Sequence, residues 1–358
     1  MRFALAGGGT GGHAYPTVAV AEQLRECGGT ELFYYGTPGG PERSVAEAEG
    51  FEYRPVRASP VRSRSPWRMA RGALNLARGY REALHWLDLD EPRAVFATGG
   101  YAAAPVGRAA RQRGIPLLVF LPDVRPGWAV RALQRQATAI ACSVSDSLEY
   151  LPGAKTVVTG YPVRRQFAEA QREEGARRFG LDPALTTLLV TGGSQGAHHI
   201  NFVIAGALKR LLEQTQIIHI AGRGEEAWLA RERGRLPEWQ RERYQLRAYT
   251  DEMAWAMAAA DLAVTRAGAS TLGELPAAGL PAIVIPGDFS DQRDNADFLA
   301  RHGAALVLAS SEVDRIEDEV LRLIGDTAAR TAMAQAMAQL ARPDAASKLA
   351  AMLIELAA

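Results

Sequence analysis

Short apolar runs alternate with longer amphipathic stretches along the whole chain, and glycine or proline usually stands between them. Strand-like runs are expected over Arg2–Ala6, Leu32–Tyr35, Glu52–Val56, Ala94–Ala97, Leu117–Leu121, Ala139–Cys142 and Val157–Thr159 in the first half. In the second half they are expected over Leu188–Val190, Ile217–Ala221, Gln245–Tyr249, Leu262–Thr265 and Ala282–Ile285. Between them the apolar spacing turns helical, as over Thr17–Cys27, where Val18, Ala21 and Leu24 recur and Pro16 takes the opening position. Further helices are expected over Pro41–Glu49, Ala129–Gln136, Asn201–Gln214, Glu225–Arg235, Met253–Ala260, Glu312–Gly325, Ala328–Leu340 and Ala345–Leu356. Strand, helix and strand recurring in this way predict α/β domains with parallel, doubly wound sheets. The scheme is stated twice. Gly160-Tyr-Pro-Val-Arg164 reads as the connection, so a first domain over 1–160 and a second over 161–342 are expected, with an Ala-rich tail helix over 343–358 packing back on the first.

The bulk properties agree with two soluble domains. The chain has 358 residues, 47% hydrophobic and 23% charged, which is ample for two cores. Its net charge of +1 gives no global field for nucleic acid. The first residues lack the apolar run of a signal peptide, and no stretch approaches the roughly 20 apolar residues of a membrane span, so a cytoplasmic protein is expected. Cys27 and Cys142 have no metal-ligand spacing and read as two small buried residues.

The chemistry concentrates in glycine turns at strand ends. Thr191-Gly-Gly-Ser-Gln-Gly196 follows a strand and precedes a helix, so free backbone N–H groups and the Ser194 hydroxyl can meet a phosphate or diphosphate. A βα turn that needs glycine only for its geometry is the plain alternative. At the N-terminus, Gly7, Gly9 and Gly12 match G-x-G-x-x-G, but the next strand ends in Tyr-Gly instead of the acidic residue that holds a dinucleotide's ribose. The nicotinamide reading is therefore set aside. His13 follows these glycines at the sheet edge where doubly wound folds bind ligands, and an imidazole is well matched to taking a proton near pH 7. A lone histidine more often caps or packs. A third turn, Thr98-Gly-Gly-Tyr101, and a fourth, Arg266-Ala-Gly-Ala-Ser-Thr-Leu-Gly-Glu274, end other strands. In the fourth, Ser270 or Thr271 is expected to start a helix. Glu274 one turn on can accept from two ribose hydroxyls or close a capping box with Thr271. Asp291, Gln292 and Asn295 cluster on the same edge and suit sugar hydroxyls.

Arg57–Trp86 has a different character, with seven arginines interleaved with Trp67, Met69, Leu74, Leu76, Tyr80, Leu84 and Trp86. On a helix, Trp67, Arg71, Leu74, Arg78 and Arg81 fall near one face. A packed helix with a solvated basic side and a membrane-docking helix both remain open from the pattern, and nucleic acid is disfavoured by the neutral total.

Taken in order, Gly8-Gly-Thr-Gly-Gly-His13, Gly99-Gly-Tyr101, Pro162-Val-Arg164, Gly192-Gly-Ser-Gln-Gly-Ala197, the run Gly268–Glu274, and Gln292 with Asn295-Ala296 resemble the MurG family across essentially the whole chain. The resemblance implies the GT-B fold, two Rossmann-like domains facing across a cleft. It implies transfer of N-acetylglucosamine from UDP-N-acetylglucosamine to the 4-hydroxyl of the muramyl sugar of lipid I, an undecaprenyl-pyrophosphoryl acceptor, giving lipid II for peptidoglycan. The donor belongs to the C-terminal half and the acceptor to the N-terminal half. Carried over by position, Ser194 and Gln195 would serve the diphosphate, Thr250 the uracil through its backbone, and Glu274 the ribose. Arg164, Ala269, Ser270, Thr271 and Gln292 would surround the phosphates and sugar, with Thr10, Gly11, Gly12 and His13 opposite. His13 would be the general base or the group that orients the attacking hydroxyl. No metal and no cofactor are implied, the leaving UDP being held by helix dipoles during an inverting displacement. The stretch Arg62–Trp86 matches the region by which the family is thought to rest on the anionic, cytoplasmic face of the membrane.

Two departures from the family bear on the sugar and acceptor. Phe120-Leu-Pro-Asp123 stands where His-Glu-Gln-Asn is common, so a sugar-contacting Asn becomes Asp123, and Ala102-Ala-Ala104 stands where a serine is usual. They motivate an alternative, a related UDP-sugar transferase acting on another lipid or natural-product acceptor. A UDP-N-acetylglucosamine epimerase has a similar two-domain fold but needs more acidic and basic groups in the cleft than this chain offers. A non-catalytic UDP-sugar binder is opposed by the intact loop that leads to His13.

Overall fold

Strands buried on both faces are apolar at every position instead of alternate ones. Leu117–Leu121 is such a run, and all of its residues are buried in the computed structural model, which describes residues 1–8, 11–59, 66–193, 196–287 and 292–358. Two units form, Met1–Arg164 with Arg342–Ala358, and Arg165–Ala341. The boundary thus falls after Arg164.

The first unit carries β1 (Arg2–Ala6), β2 (Glu31–Gly36), β3 (Glu52–Pro55), β4 (Ala94–Ala97), β5 (Leu117–Leu121), β6 (Ala139–Cys142) and β7 (Thr156–Val158). Among the described residues these make a seven-stranded parallel sheet in the order β3-β2-β1-β4-β5-β6-β7. Ala4, Ala6, Val95, Val119 and Ile140 lie at the centre of its core. The closing helix Ala345–Ala357 belongs to this unit and packs on the helix Gly11–Glu26 and on β4. The helix Pro66–Asp90 packs on the helix Gly100–Gln112 and is anchored at its end by Asp90. That buried carboxylate accepts from the Tyr35 hydroxyl at 2.7 Å and from Arg54 Nη2 at 2.7 Å. Near the middle of the helix, Gly79 is pressed on the Arg57 carbonyl so closely that any Cβ there would overlap it.

The second unit repeats the design with β8 (Thr187–Thr191), β9 (Gln216–Ile220), β10 (Tyr244–Arg247), β11 (Leu262–Arg266), β12 (Ala282–Ile285) and β13 (Ala305–Val307). Its six-stranded sheet, counted over the described residues, is also parallel and runs β10-β9-β8-β11-β12-β13. Leu188, Val190, Ile217, Leu262 and Ile283 form the centre of this core, closed by the helices His198–Gln214 and Ile316–Gly325.

Four local expectations are corrected. The first helix starts at Gly11, so Pro16 lies inside it instead of opening it. Cys27 is exposed, because it lies past the last helical residue, and only Cys142 is buried. Burial pushes the Cys142 thiol up to about 12. Thr271 does not cap a helix: its hydroxyl turns back to the Gly268 carbonyl at 2.6 Å in a 3-10 turn, Ala269–Leu272, and Gly273 precedes the helix Glu274–Ala278. Finally, β13 was not expected as a strand.

Candidate functional site

Both sheets reverse direction once. In the first unit β1 adjoins β4, with Ala6 beside Ala97, and in the second β8 adjoins β11, with Thr191 beside Thr265. The crevice beyond the carboxyl ends of such a pair is where open α/β sheets take ligands, because the two following loops part to opposite faces. The glycine turns read from the sequence are the loops that follow these four strands.

In the first unit the crevice is built around His13, half-buried in the first turn of its helix. His13 Nδ1 lies 2.8 Å from the Thr98 carbonyl oxygen. A carbonyl only accepts, so the hydrogen bond assigns the proton to Nδ1 and leaves the lone pair of the neutral ring on Nε2. The Thr98 hydroxyl returns the contact, donating to the His13 carbonyl at 2.6 Å. Gly99 and Gly100 follow with φ of 106° and 76°. A Cβ on Gly99 would sit 3.0 Å from the His13 ring, and one on Gly100 would overlap the Gly8 carbonyl. Glycine is needed here because backbone meets backbone. From behind, the Tyr34 hydroxyl holds the Gly7 carbonyl at 3.0 Å, and the buried Glu42 carboxylate, itself bound by Thr37, fills the space against Gly8.

The other first-unit candidates lie on the same edge. Gly11 and Gly12 make the first helical turn with His13. Asp123 follows β5, half-buried, its carbonyl accepting from the Ser147 hydroxyl at 3.3 Å. Arg164 is 8% exposed and stacks 4.2 Å from the centre of the Tyr15 ring.

In the second unit Gly192 leaves no room for a side chain against the backbone of Gly196 and Ala197, which leads into the helix His198–Gln214. After β11, Ala269 and Thr271 are buried, Ser270 is half-buried, and Glu274, 7% exposed, opens the next helix. Gln292 opens the helix Gln292–Arg301 and accepts from the Gly287 amide at 2.8 Å, while Asn295 donates to the Ala267 carbonyl at 3.0 Å. β8, β11 and β12 are adjacent, so these groups share one edge. Thr250 lies apart, beyond β10 at the sheet margin, with its hydroxyl accepting from the Glu252 amide at 3.0 Å. Thr10, Ser194, Gln195, Arg62, Arg64 and Asp291 lie outside the described residues. Among the described residues, no group of three or more His, Cys, Asp and Glu side chains could hold a metal ion.

Several supporting residues went unread in the sequence. Thr98 fixes the His13 tautomer through its backbone, which no side-chain pattern announces. Tyr161 donates to the Gly12 carbonyl at 3.3 Å. Its signal was Pro16, which cannot donate to the carbonyl four residues before it. A buried chain ties β10 and β9 to the helix His198–Gln214: the Tyr244 hydroxyl to His219 Nδ1 at 2.8 Å, His219 Nε2 to Asn201 Oδ1 at 3.0 Å, and Asn201 Nδ2 to the Ala221 carbonyl at 3.0 Å. Burial lowers the His219 pKa to about 3, so the ring is neutral and each bond has one donor and one acceptor.

Two parallel, doubly wound units with small-residue turns at both reversals are the architecture of the GT-B fold. The glycosyltransferase family 28 N-terminal domain matches residues 3–142 and the C-terminal domain residues 187–349, and the chain belongs to that family. It is 39% identical, over 99% of its length and 94% of the relative's, to the UDP-N-acetylglucosamine--N-acetylmuramyl-(pentapeptide) pyrophosphoryl-undecaprenol N-acetylglucosamine transferase of Roseiflexus sp. (strain RS-1). The enzyme of the same name from Halothermothrix orenii (strain H 168) is 34% identical over 98% of this chain and 97% of its own. Among solved structures, the crystal structure of Acinetobacter baumannii MurG superposes with a TM-score of 0.75 at 25% identity, covering 99% of each chain.

Proposed function

We propose that this enzyme transfers N-acetylglucosamine from UDP-N-acetylglucosamine to the 4-hydroxyl of the muramyl sugar on a pyrophosphoryl-undecaprenol carrier, with His13 as the general base. The observation that carries the reading is the bond from His13 Nδ1 to the Thr98 carbonyl, which leaves Nε2 as a proton acceptor at the reversal of the first sheet. In the step, Nε2 takes the hydroxyl proton while that oxygen attacks the anomeric carbon from the face opposite the diphosphate. The bond from the anomeric carbon to the phosphate oxygen breaks, UDP leaves with its electron pair, and configuration inverts.

On this reading the second unit holds the donor. Ser194 and Gln195 meet the diphosphate with the turn around them, and Glu274 accepts from the ribose hydroxyls. The Thr250 backbone meets the uracil, and Ala269, Ser270, Thr271 and Gln292 line the phosphates and sugar, while Arg164, the last residue of the first unit, is a further cation for the phosphates. Donors aimed at the departing diphosphate stabilise the charge that develops there. Thr10, Gly11, Gly12 and Asp123 belong to the acceptor and sugar side.

The same proposal includes work at the cytoplasmic face of an anionic membrane. No helix among the described residues is long and apolar enough to cross one. The helix Pro66–Asp90 instead leaves Trp67 86% exposed and Leu74 50% exposed beside exposed Arg71, Arg78 and Arg81, an apolar and basic surface suited to anionic headgroups.

The test is UDP release with UDP-N-acetylglucosamine and lipid I, for the wild type and His13→Ala. Turnover to lipid II that falls by about 100-fold or more in the variant is expected, the size of general-base catalysis. Good UDP binding without turnover on lipid I would remove this acceptor. It would favour the second reading, a transferase with another acceptor, which Asp123 motivates.

A further inference from the structure

Pro16 lies inside the helix Gly11–Glu26 and has no N–H, so the carbonyl of Gly12, four residues earlier, cannot receive its ordinary helical bond. The Tyr161 hydroxyl donates to that oxygen at 3.3 Å, from a side chain only 3% exposed. The Tyr161 ring is held edge-on to Phe120, a fully buried residue of β5, with centroids 6.2 Å apart. The hydroxyl is thus aimed by the core of the unit. Three residues later Arg164 stacks on Tyr15. The connection therefore grips the backbone just before His13 and the side chain just beyond it.

We propose that Tyr161 is a positioning residue for His13, which keeps the first helical turn closed so that Nδ1 stays on the Thr98 carbonyl and Nε2 stays bare. The proposal rests on His13 being the base, and extends it. Tyr161 does not touch the reacting atoms. Without its hydroxyl the Gly12 carbonyl is left unmet, the turn opens, and the ring leaves Thr98 for a fraction of the time.

The experiment uses the full chain and four variants: Tyr161→Phe, Pro16→Ala, the two combined, and Tyr161→Phe in His13→Ala. Tyr161→Phe is expected to lower kcat by roughly 5- to 30-fold, the effect of one buried hydrogen bond, with the donor KM within about twofold. The melting temperature should fall by no more than a few degrees, since the ring is retained and one hydrogen bond is lost. Pro16→Ala restores an N–H in register with Gly12, so the combined variant should recover most of kcat. In His13→Ala, Tyr161→Phe should have no further effect. The 15N shifts of the His13 ring give an arm that needs no turnover: a single Nδ1–H form in the wild type and a mixture in Tyr161→Phe. If His13→Ala keeps wild-type activity, the base reading fails, and the ring shifts alone decide positioning. Unchanged shifts in Tyr161→Phe, an equal loss of kcat in His13→Ala, or no recovery with Pro16→Ala would each overturn the proposal.

Discussion

Thr98 and His13 hold each other by two bonds in opposite senses, the ring Nδ1–H to the Thr98 carbonyl at 2.8 Å and the Thr98 hydroxyl to the His13 carbonyl at 2.6 Å. One residue thereby sets both the tautomer of the imidazole and the backbone that carries it. Because the decisive acceptor is a main-chain oxygen, the pair depends on the path of the chain after β4, and that path depends on glycine.

Gly99→Ala tests that dependence. Its φ of 106° suits glycine alone, and a Cβ would stand 3.0 Å from the ring carbon and nitrogen of His13. The variant is expected to lose about 1–3 kcal/mol of stability to backbone strain. Its kcat should fall by roughly 100-fold as the ring is displaced, while UDP affinity, read by calorimetry, stays near wild type. Wild-type kcat in a folded Gly99→Ala would show that the ring tolerates the push and that its placement is not critical.

His219 makes stability depend on pH. Buried and neutral in the fold with a pKa lowered to about 3, it takes up a proton in the unfolded chain below about 6.5. The unfolded state then binds more protons, so stability is full above pH 6.5 and declines as pH falls toward 3, by at most about 1.4 kcal/mol per pH unit from this group. Urea midpoints between pH 7.5 and 5 should show the decline, and His219→Gln, less stable at pH 7.5, should show a shallower one. Equal slopes in the two proteins would assign the effect to other groups.

The pattern of apolar runs was enough to place most strands, because a strand buried on both faces has little choice of composition. β13 escaped because its three residues are only half-buried and its Ala-Leu-Val sequence sits between helices, where it reads equally as helix. Of the site, the glycine turns were legible, since small residues at a strand end have a geometric cause. What stayed hidden depends on contacts between segments distant in sequence: Thr98 on His13, Tyr161 on Gly12, and Tyr244 on His219. Pro16 was misplaced for a related reason. A proline in a helix is tolerated when another group meets the orphaned carbonyl, and that group comes from Tyr161, 149 residues away from Gly12.

Asp123 is a test of sugar contact. A carboxylate accepts hydrogen bonds but cannot donate as an amide does. Asp123→Asn is therefore expected to lower the donor KM about 3- to 10-fold, the worth of roughly one hydrogen bond. An unchanged KM would mean that the side chain does not meet the sugar.

The proposed membrane docking of the helix Pro66–Asp90 can be divided into a part from charge and a part from apolar burial. Arg71, Arg78 and Arg81 are exposed, as are Trp67 and Leu74 on the same helix, so replacing them should leave the core alone. Each basic residue near an anionic surface is worth about 1 kcal/mol, so the triple change Arg71→Glu, Arg78→Glu and Arg81→Glu should reduce co-sedimentation with phosphatidylglycerol vesicles by 100-fold or more, roughly tenfold for each 1.4 kcal/mol. Trp67→Ser should weaken binding to neutral and anionic vesicles alike, since its loss removes apolar contact instead of charge. Salt should mimic the first change and not the second, because screening acts on the charges alone. Both variants should keep turnover on a water-soluble lipid I analogue. If the triple variant binds vesicles as the wild type does, the basic side of this helix is a solvated face and the docking proposal fails.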